Sequence, residues 1–213
     1  MRRKIASLLA LAVAFSVAPV AAQAPAPSAE RMAGEIVASA YAAADSKADA
    51  VAQFEVKFLE GFKRNPQGTA LADKRPEVLQ AGLNAGKAEF ARQFDLVVVP
   101  AMSEAVAKIY ATNFTPAELS AILAYHDSAA AKRFQASFAA GASSTEVSQA
   151  RADDTVVSYR SSAVGLKETA LSSQIADAMM SAMLTSLPKF MPQVNASVAA
   201  AFQSALAKPS AKR

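Results

Sequence analysis

Apolar residues recur along this chain at intervals of three and four, the period of an α-helix with one buried face. Met32, Ile36 and Ala40 mark such a face over residues 30–44. Val51, Phe54, Phe58 and Phe62, with Leu59 beside them, mark a strongly aromatic one over 47–63. Residues 65–68 break the pattern, and Pro76 opens a third helix at a favoured first-turn position. Its buried face is Leu79, Leu83, Phe90, Phe94 and Val97. Pro100 lacks an N–H and clashes with the turn before it, so it is expected to end or kink that run. Met102, Val106, Ile109 and Tyr110 carry the pattern onward. A loop is expected at 141–145 and a weakly patterned helix at 146–160. A long helix at 167–187 carries Leu171, Ile175, Met179 and Met183, and Pro188 and Pro192 are expected to punctuate it. A last helix, 194–207, carries Val198, Phe202 and Leu206. Period-two alternation is almost nowhere, Ala is abundant, and there are only 7 Gly. The predicted fold class is therefore all-α: a compact helical bundle of about six to eight helices following a cleaved signal peptide.

The segment 109–134 carries the sharpest local signals. Thr115 can cap a helix, Pro116 then occupies the first helical position, and Glu118 completes a capping box. Leu119, Ile122, Leu123 and His126 share one face of that helix. Ser128 is a second cap, after which Ala130, Phe134 and Phe138 form a new apolar stripe. The reading is two helices joined by a tight corner at Asp127 and Ser128.

In this segment Phe114, Thr115, Glu118 and Leu119, then Ile122 and Leu123, then Tyr125, Ser128 and Phe134 fall in an ungapped order. That order resembles the bacterial family catalogued as domain of unknown function 2059. The family block reads Phe-Thr-x-x-Glu-Leu, an aliphatic turn, then Phe-Tyr-x-Ser-Pro-x-Gly-x-Lys-Phe. Here Ala129 stands for the proline, Ala131 for the glycine, His126 for an aromatic, Asp127 for a basic or polar residue, and Arg133 for the lysine. Losing Pro and Gly leaves a plainer helix start, since Ala is a good helix former. The resemblance implies a secreted, all-helical protein and brings no catalytic residues with it.

Arg2, Arg3 and Lys4 precede an apolar run at 5–20, and Val20-Ala21-Ala22 and Ala22-Gln23-Ala24 offer small residues for a signal peptidase. Residues 1–22 are expected to be a signal peptide, 23–29 a Pro/Ala linker, 30–207 the helical domain and 208–213 a basic tail. The mature chain is expected to be periplasmic or secreted, with no transmembrane span. It has no cysteine, so its fold stands without disulfides. The formal charge of +4 comes mostly from the ends. Removing Arg2, Arg3 and Lys4 leaves +1, and removing Lys208, Lys212 and Arg213 leaves −2 for the body. That near-neutral body argues against a nucleic-acid partner.

Candidate chemistry is sparse. His126 is the only histidine, and with no Cys the chain lacks the usual ligand set for zinc, so no metal and no cofactor is expected. His126 could serve as a base near neutral pH, but neighbouring Asp127 points elsewhere on a helix and does not make a triad with it. Ser186 and Lys189 match Ser-x-x-Lys, yet the companion Ser-Asp-Asn and Lys-Thr-Gly elements are missing and Pro188 intervenes. The pairs Asp45/Asp49, Glu55/Glu60 and Asp153/Asp154 read as solvated faces or caps. No Gly-rich phosphate loop occurs. No catalytic residue is assigned. Met179, Met180, Met183 and Met191 lie near Leu184, Leu187 and Phe190, and Met-rich faces adapt to varied apolar partners. One of Met179 and Met180 must leave the core face, because neighbours diverge by about 100° around a helix.

The expected function is a non-enzymatic envelope protein that binds a protein, peptide or lipid partner. Met179, Met183 and Phe190 would form its apolar groove, and His126 is a further binding candidate. One rival is an envelope hydrolase working at the 114–134 corner through Glu118, His126 or Asp127. A second is a structural envelope-stress protein. The position of His126 discriminates: burial favours structure, and a pocket beside carboxylates favours chemistry.

Overall fold

The computed structural model describes residues 28–41, 44–138 and 143–208, which are helical almost throughout. In chain order they form α1 (Ala29–Ala40), α2 (Ala44–Arg64), α3 (Pro66–Lys74), α4 (Pro76–Gln93), a π-helical turn at Phe94–Val98, α5 (Val99–Asn113), α6 (Pro116–Asp127), α7 (Ala129–Ala136), α8 (Ser144–Arg151), α9 (Asp154–Ser161), α10 (Ala163–Ala170) and α11 (Ser172–Leu206). No strand occurs among the described residues, and the fold is all-α. The expected signal peptide, residues 23–27 of the linker, residues 141–142 of the expected loop and residues 209–213 of the tail lie outside the described residues.

The helices outnumber the expected six to eight because short polar caps divide the chain more often than its apolar period suggests. Asn65 caps α3, so Pro66 starts a helix where 65–68 was expected to interrupt one. Asp153 accepts from the Thr155 N–H at 3.0 Å and splits the expected 146–160 helix into α8 and α9. Ser162 caps α10, and the expected 167–187 helix divides at Leu171. At Thr115 the capping box forms as expected: its hydroxyl accepts from the Glu118 N–H at 3.3 Å, and its own N–H donates to the Glu118 carboxylate at 2.7 Å. Ser128 caps α7 and makes the corner with α6.

The prolines behave differently from expectation, for two physical reasons. Before Pro100 the helix widens instead of ending: the Val99 N–H reaches the Phe94 carbonyl five residues back. The wider turn accommodates the ring and the missing donor, and the extra residue rotates the register. Val98 is consequently buried, while Val97 is only partly so. Helix α11 runs through Pro188 and Pro192 for 35 residues without a break. Both prolines face solvent, as does Leu184, so the missing donors fall on the exposed side of the helix. On the opposite side Ile175, Ser186, Phe190 and Val194 are buried. Burying that face outweighs the penalty of about 3 kcal/mol for each interior proline.

Two apolar cores result. One joins α1, α5, α6 and α11 through Ile36, Val106, Tyr110, Leu119, Ile122 and Ile175. The other joins α4, the π turn, α5 and α11 through Phe90, Phe94, Val98, Met102, Phe190 and Val194. Met179 packs against both. The aromatic face of α2 belongs to the second core: Phe54 stacks on Phe90 at 5.0 Å, and Phe90 meets Phe190 edge-on at 5.5 Å. Toward its C-terminus α11 presses on α4 so closely that a Cβ at Gly82 would overlap the Phe202 ring. There Arg75 donates to the carbonyls of Ala205 and Lys208, both at 3.1 Å. No described helix is long and apolar enough to cross a membrane.

Phe190→Ala is expected to lower unfolding free energy by about 3–5 kcal/mol, because it empties a packed aromatic site. Met180→Ser, at a position 54% exposed, is expected to change it by about 0.5 kcal/mol or less. Urea unfolding of the two variants checks the assignment, and equal costs would contradict it.

Candidate functional site

A buried carboxylate has to find donors, and in this fold Glu168 finds them on three other helices, backed by groups from a fourth helix and one helix end. Glu168 lies on α10 with its side chain 15% exposed. Its Oε1 accepts from the Tyr110 hydroxyl of α5 at 2.6 Å, and Nε2 of His126, on α6, lies 3.0 Å away. Its Oε2 accepts from the Tyr159 hydroxyl of α9 at 2.7 Å. The single phenol proton of Tyr110 goes to Glu168, so in the 3.1 Å contact between Tyr41 and Tyr110 hydroxyls Tyr41, just past the end of α1, is the donor. Gln135 of α7 places Nε2 3.2 Å from His126 Nδ1. In that arrangement the amide donates, Nδ1 accepts, and Nε2–H points at Glu168. Tyr125 adds a ring stacked on Tyr159, with centroids 3.7 Å apart and planes within 5°. All four tyrosines of the chain and its only histidine therefore sit in one cluster.

Two local devices hold Glu168 in place. The preceding residue, Lys167, bonds Glu118 at 2.9 Å and lies 4.7 Å from the Phe114 ring centre, which ties α10 to the start of α6. The Thr115 backbone N–H, then Lys167, hold the Glu118 carboxyl down at about 2. The second device is Gly165. A Cβ there would collide with the backbone of Tyr159 and Arg160, so α10 can approach α9 this closely only with glycine.

The electrostatics follow from burial and donors. Burial alone would raise the Glu168 pKa, but hydrogen bonds from His126, Tyr110 and Tyr159 outweigh it and hold the carboxyl below the ordinary range. Tyr110 is pushed far up by burial and then by the negative charge of Glu168. Tyr159 is pushed up by burial and by its own bond to Glu168. Burial raises Tyr41 and Tyr125 as well.

Above this floor opens a cleft of about 350 Å³, walled by Tyr41, Tyr125, Phe134 and Tyr159 and rimmed by Arg160 and Thr169. The guanidinium of Arg160 lies 5.5 Å from the Phe134 ring centre. Among the described residues no group of three or more His, Cys, Asp or Glu is arranged to hold a metal.

Of the residues singled out in the sequence, His126, Tyr125 and Phe134 line this cleft. Asp127 turns away and accepts from the Ser39 hydroxyl at 3.1 Å. Phe114, Thr115, Pro116, Glu118, Leu119 and Ser128 build the α5–α6–α7 corners that carry the cleft residues. Phe190 is 1% exposed in the second core, with Met179 and Met183 packed half-buried beside it. The solvent-facing large apolar residues of α11 are instead Met180, Leu184 and, at its end, Leu206. Sequence reasoning missed Glu168, Tyr41, Tyr110, Tyr159 and Gln135. The available signal was tyrosines at apolar positions in a tyrosine-poor chain, since a buried phenol requires a partner for its hydroxyl. No family profile, curated protein or solved structure matches this chain.

The cluster predicts a bounded pH range of stability. A lowered carboxyl contributes stability above the ordinary carboxylate range that is lost as pH falls through the lowered value. Raised phenols contribute stability below about 10 that is lost as pH climbs toward their raised values. Urea midpoints measured across pH should decline on both sides, and tyrosinate absorbance should rise only as the chain unfolds. Tyrosinate appearing near pH 10 in the folded chain would contradict the network. Gly165→Ala should destabilise by more than about 1 kcal/mol, whereas Gly61→Ala, with open space around it, should stabilise by about 0.5–1 kcal/mol. Thermal melts of the pair read this directly.

Proposed function

We propose that this chain is a non-enzymatic binding protein of the cell envelope whose ligand site is the aromatic cleft over Glu168. The observation that carries the reading is the full engagement of His126. Nε2 faces Glu168 and Nδ1 faces Gln135, so neither ring nitrogen is positioned to take a proton from a nucleophile. A base has to offer a lone pair to its substrate, and here that lone pair is held inside the protein. What the cleft does offer is a preformed concave surface of aromatic rings with a few fixed polar groups, the usual make-up of a small-molecule site. Its volume suits a small molecule or one side chain better than a helix or a lipid tail. The envelope location rests on the basic start, the apolar run and the small-residue cleavage sites of the first residues, and on the resemblance at 109–134.

The hydrolase reading keeps one observation in its favour, the carboxylate-oriented imidazole, which nucleophile-activating histidines also show. The experiment separates the two. The chain has no Trp and all its tyrosines are in the cluster, so intrinsic tyrosine fluorescence reports on this site alone. Titration with fractionated small molecules from envelope extracts should give a saturable change that Tyr125→Ala weakens about tenfold or more, the loss of one aromatic contact plus its buried area. Hydrolysis of an envelope polymer that disappears in a folded His126→Ala variant would overturn the binding reading.

A further inference from the structure

The hydrogen-bond network around Glu168 has a direction. Tyr41 donates to Tyr110, Tyr110 and Tyr159 donate to Glu168, and His126 donates to Glu168 while accepting from Gln135. Every phenol proton placed in this network points inward. What remains unspent in the lining is acceptor positions on Glu168 and Gln135, one Gln135 N–H, and the Tyr125 hydroxyl, which can donate or accept. A carboxylate has about four acceptor positions, and the described residues fill three of those of Glu168. Two are on Oε1 and one on Oε2, which leaves the open position on Oε2 beside Tyr159. Gln135 Oε1 and the Tyr125 hydroxyl take no hydrogen bond from the described residues either.

The charge points the same way. Glu168 is the one carboxylate of the cleft, and its described donors are two phenols and an imidazole whose Nδ1 serves as acceptor. Lys167, next to Glu168 in the chain, is committed to Glu118. Arg160, the one basic side chain at the rim, is exposed and lies over Phe134. The rim ring thus already engages a cation through its face, and three more rings stand around the floor.

We infer that the cleft recognises a small free primary amine, its ammonium seated on Glu168 Oε2 and Gln135 Oε1 between the rings of Tyr41, Tyr125 and Tyr159. This deepens the binding reading above and rests on it. An ammonium brings three donors and one positive charge to a site with unfilled acceptors, one negative charge and aromatic walls. A quaternary ammonium satisfies the rings but leaves the Oε2 position empty, and a neutral alcohol leaves the charge unmatched. The volume of about 350 Å³ is at the small end of ligand sites, which favours a free amine over a lysine presented on a chain.

Tyrosine fluorescence titrations of the whole chain with butylamine, putrescine, tetramethylammonium, butanol and a lysyl tripeptide test this. Butylamine and putrescine are expected to bind saturably, about tenfold or more tighter than butanol or tetramethylammonium. Glu168→Gln is expected to weaken the amines about tenfold or more. Because that variant removes the hub of the network, Thr169→Lys provides a second one. Thr169 is exposed at the rim, its hydroxyl bonded, among the described residues, only to the Gly165 carbonyl, and a lysine there adds a second cation beside Arg160, so amine binding should weaken about tenfold or more while the chain stays folded. Amine binding undiminished by Thr169→Lys overturns the inference. So does butanol or tetramethylammonium binding as tightly as butylamine, or the tripeptide binding tenfold tighter than putrescine. A neutral sugar or acid that binds when amines do not, and is displaced by Tyr125→Ala, overturns the amine while leaving the binding cleft in place. Absence of binding by every class overturns both.

Discussion

A carboxylate taken out of water costs several kcal/mol unless donors replace its hydration. Glu168 is the place in this fold where that condition is met, by Tyr159 nine residues back and by groups much farther off in the chain. Tyr110 lies 58 residues away, His126 lies 42 away, and Tyr41 joins through Tyr110. Each donor arrives on a different helix. The carboxylate therefore fixes the mutual placement of α1, α5, α6, α9 and α10 in a way that apolar packing, which is tolerant of sliding, does not. The helices bring bulk, and this one charge brings register.

The same arrangement bears on the chemistry proposed for the site. Histidine beside glutamate is a familiar catalytic pairing, but the roles of its two nitrogens decide whether it works. Here one nitrogen is spent on the carboxylate and the other on an amide. Among the described residues the network is left open at one Glu168 Oε2 position, at Gln135 and at the Tyr125 hydroxyl. Aromatic walls around that floor support the proposed binding role. The neighbouring Lys167–Glu118 pair belongs to the scaffold and ties the turn before Glu168 to the start of α6.

Legibility in the sequence followed the range of the interactions. The capping box at Thr115, the cap at Ser128 and the aromatic face of α2 depend on residues three or four apart, and such spacings are visible in one dimension. Pro100, Pro188 and Pro192 were misleading because a proline's local penalty is known from sequence, whereas what offsets it is tertiary. A π turn relieves the first, and burial of Phe190 and Val194 against solvated prolines carries the other two. The Met179, Met183 and Phe190 stripe was recognisably apolar, but period alone does not tell a core face from a groove. Tyr125, His126 and Phe134 were found because they sit in the corner motif. Glu168 was invisible, since no local pattern distinguishes a glutamate that will meet three donors from one that will meet water.

Helix α11 gives the architecture a mechanical dimension. Ser172 and Ile175, in its first turn, line the cleft. Its other end is gripped by α4 at Gly82 and by the Arg75 bonds to Ala205 and Lys208. At 1.5 Å per residue, 35 residues make a rod of about 50 Å, and Met179 seats that rod against both cores. A rod held at Met179 and again at its far end cannot pivot about one point, so the cleft wall at Ser172 and Ile175 is braced by packing that reaches to Phe202.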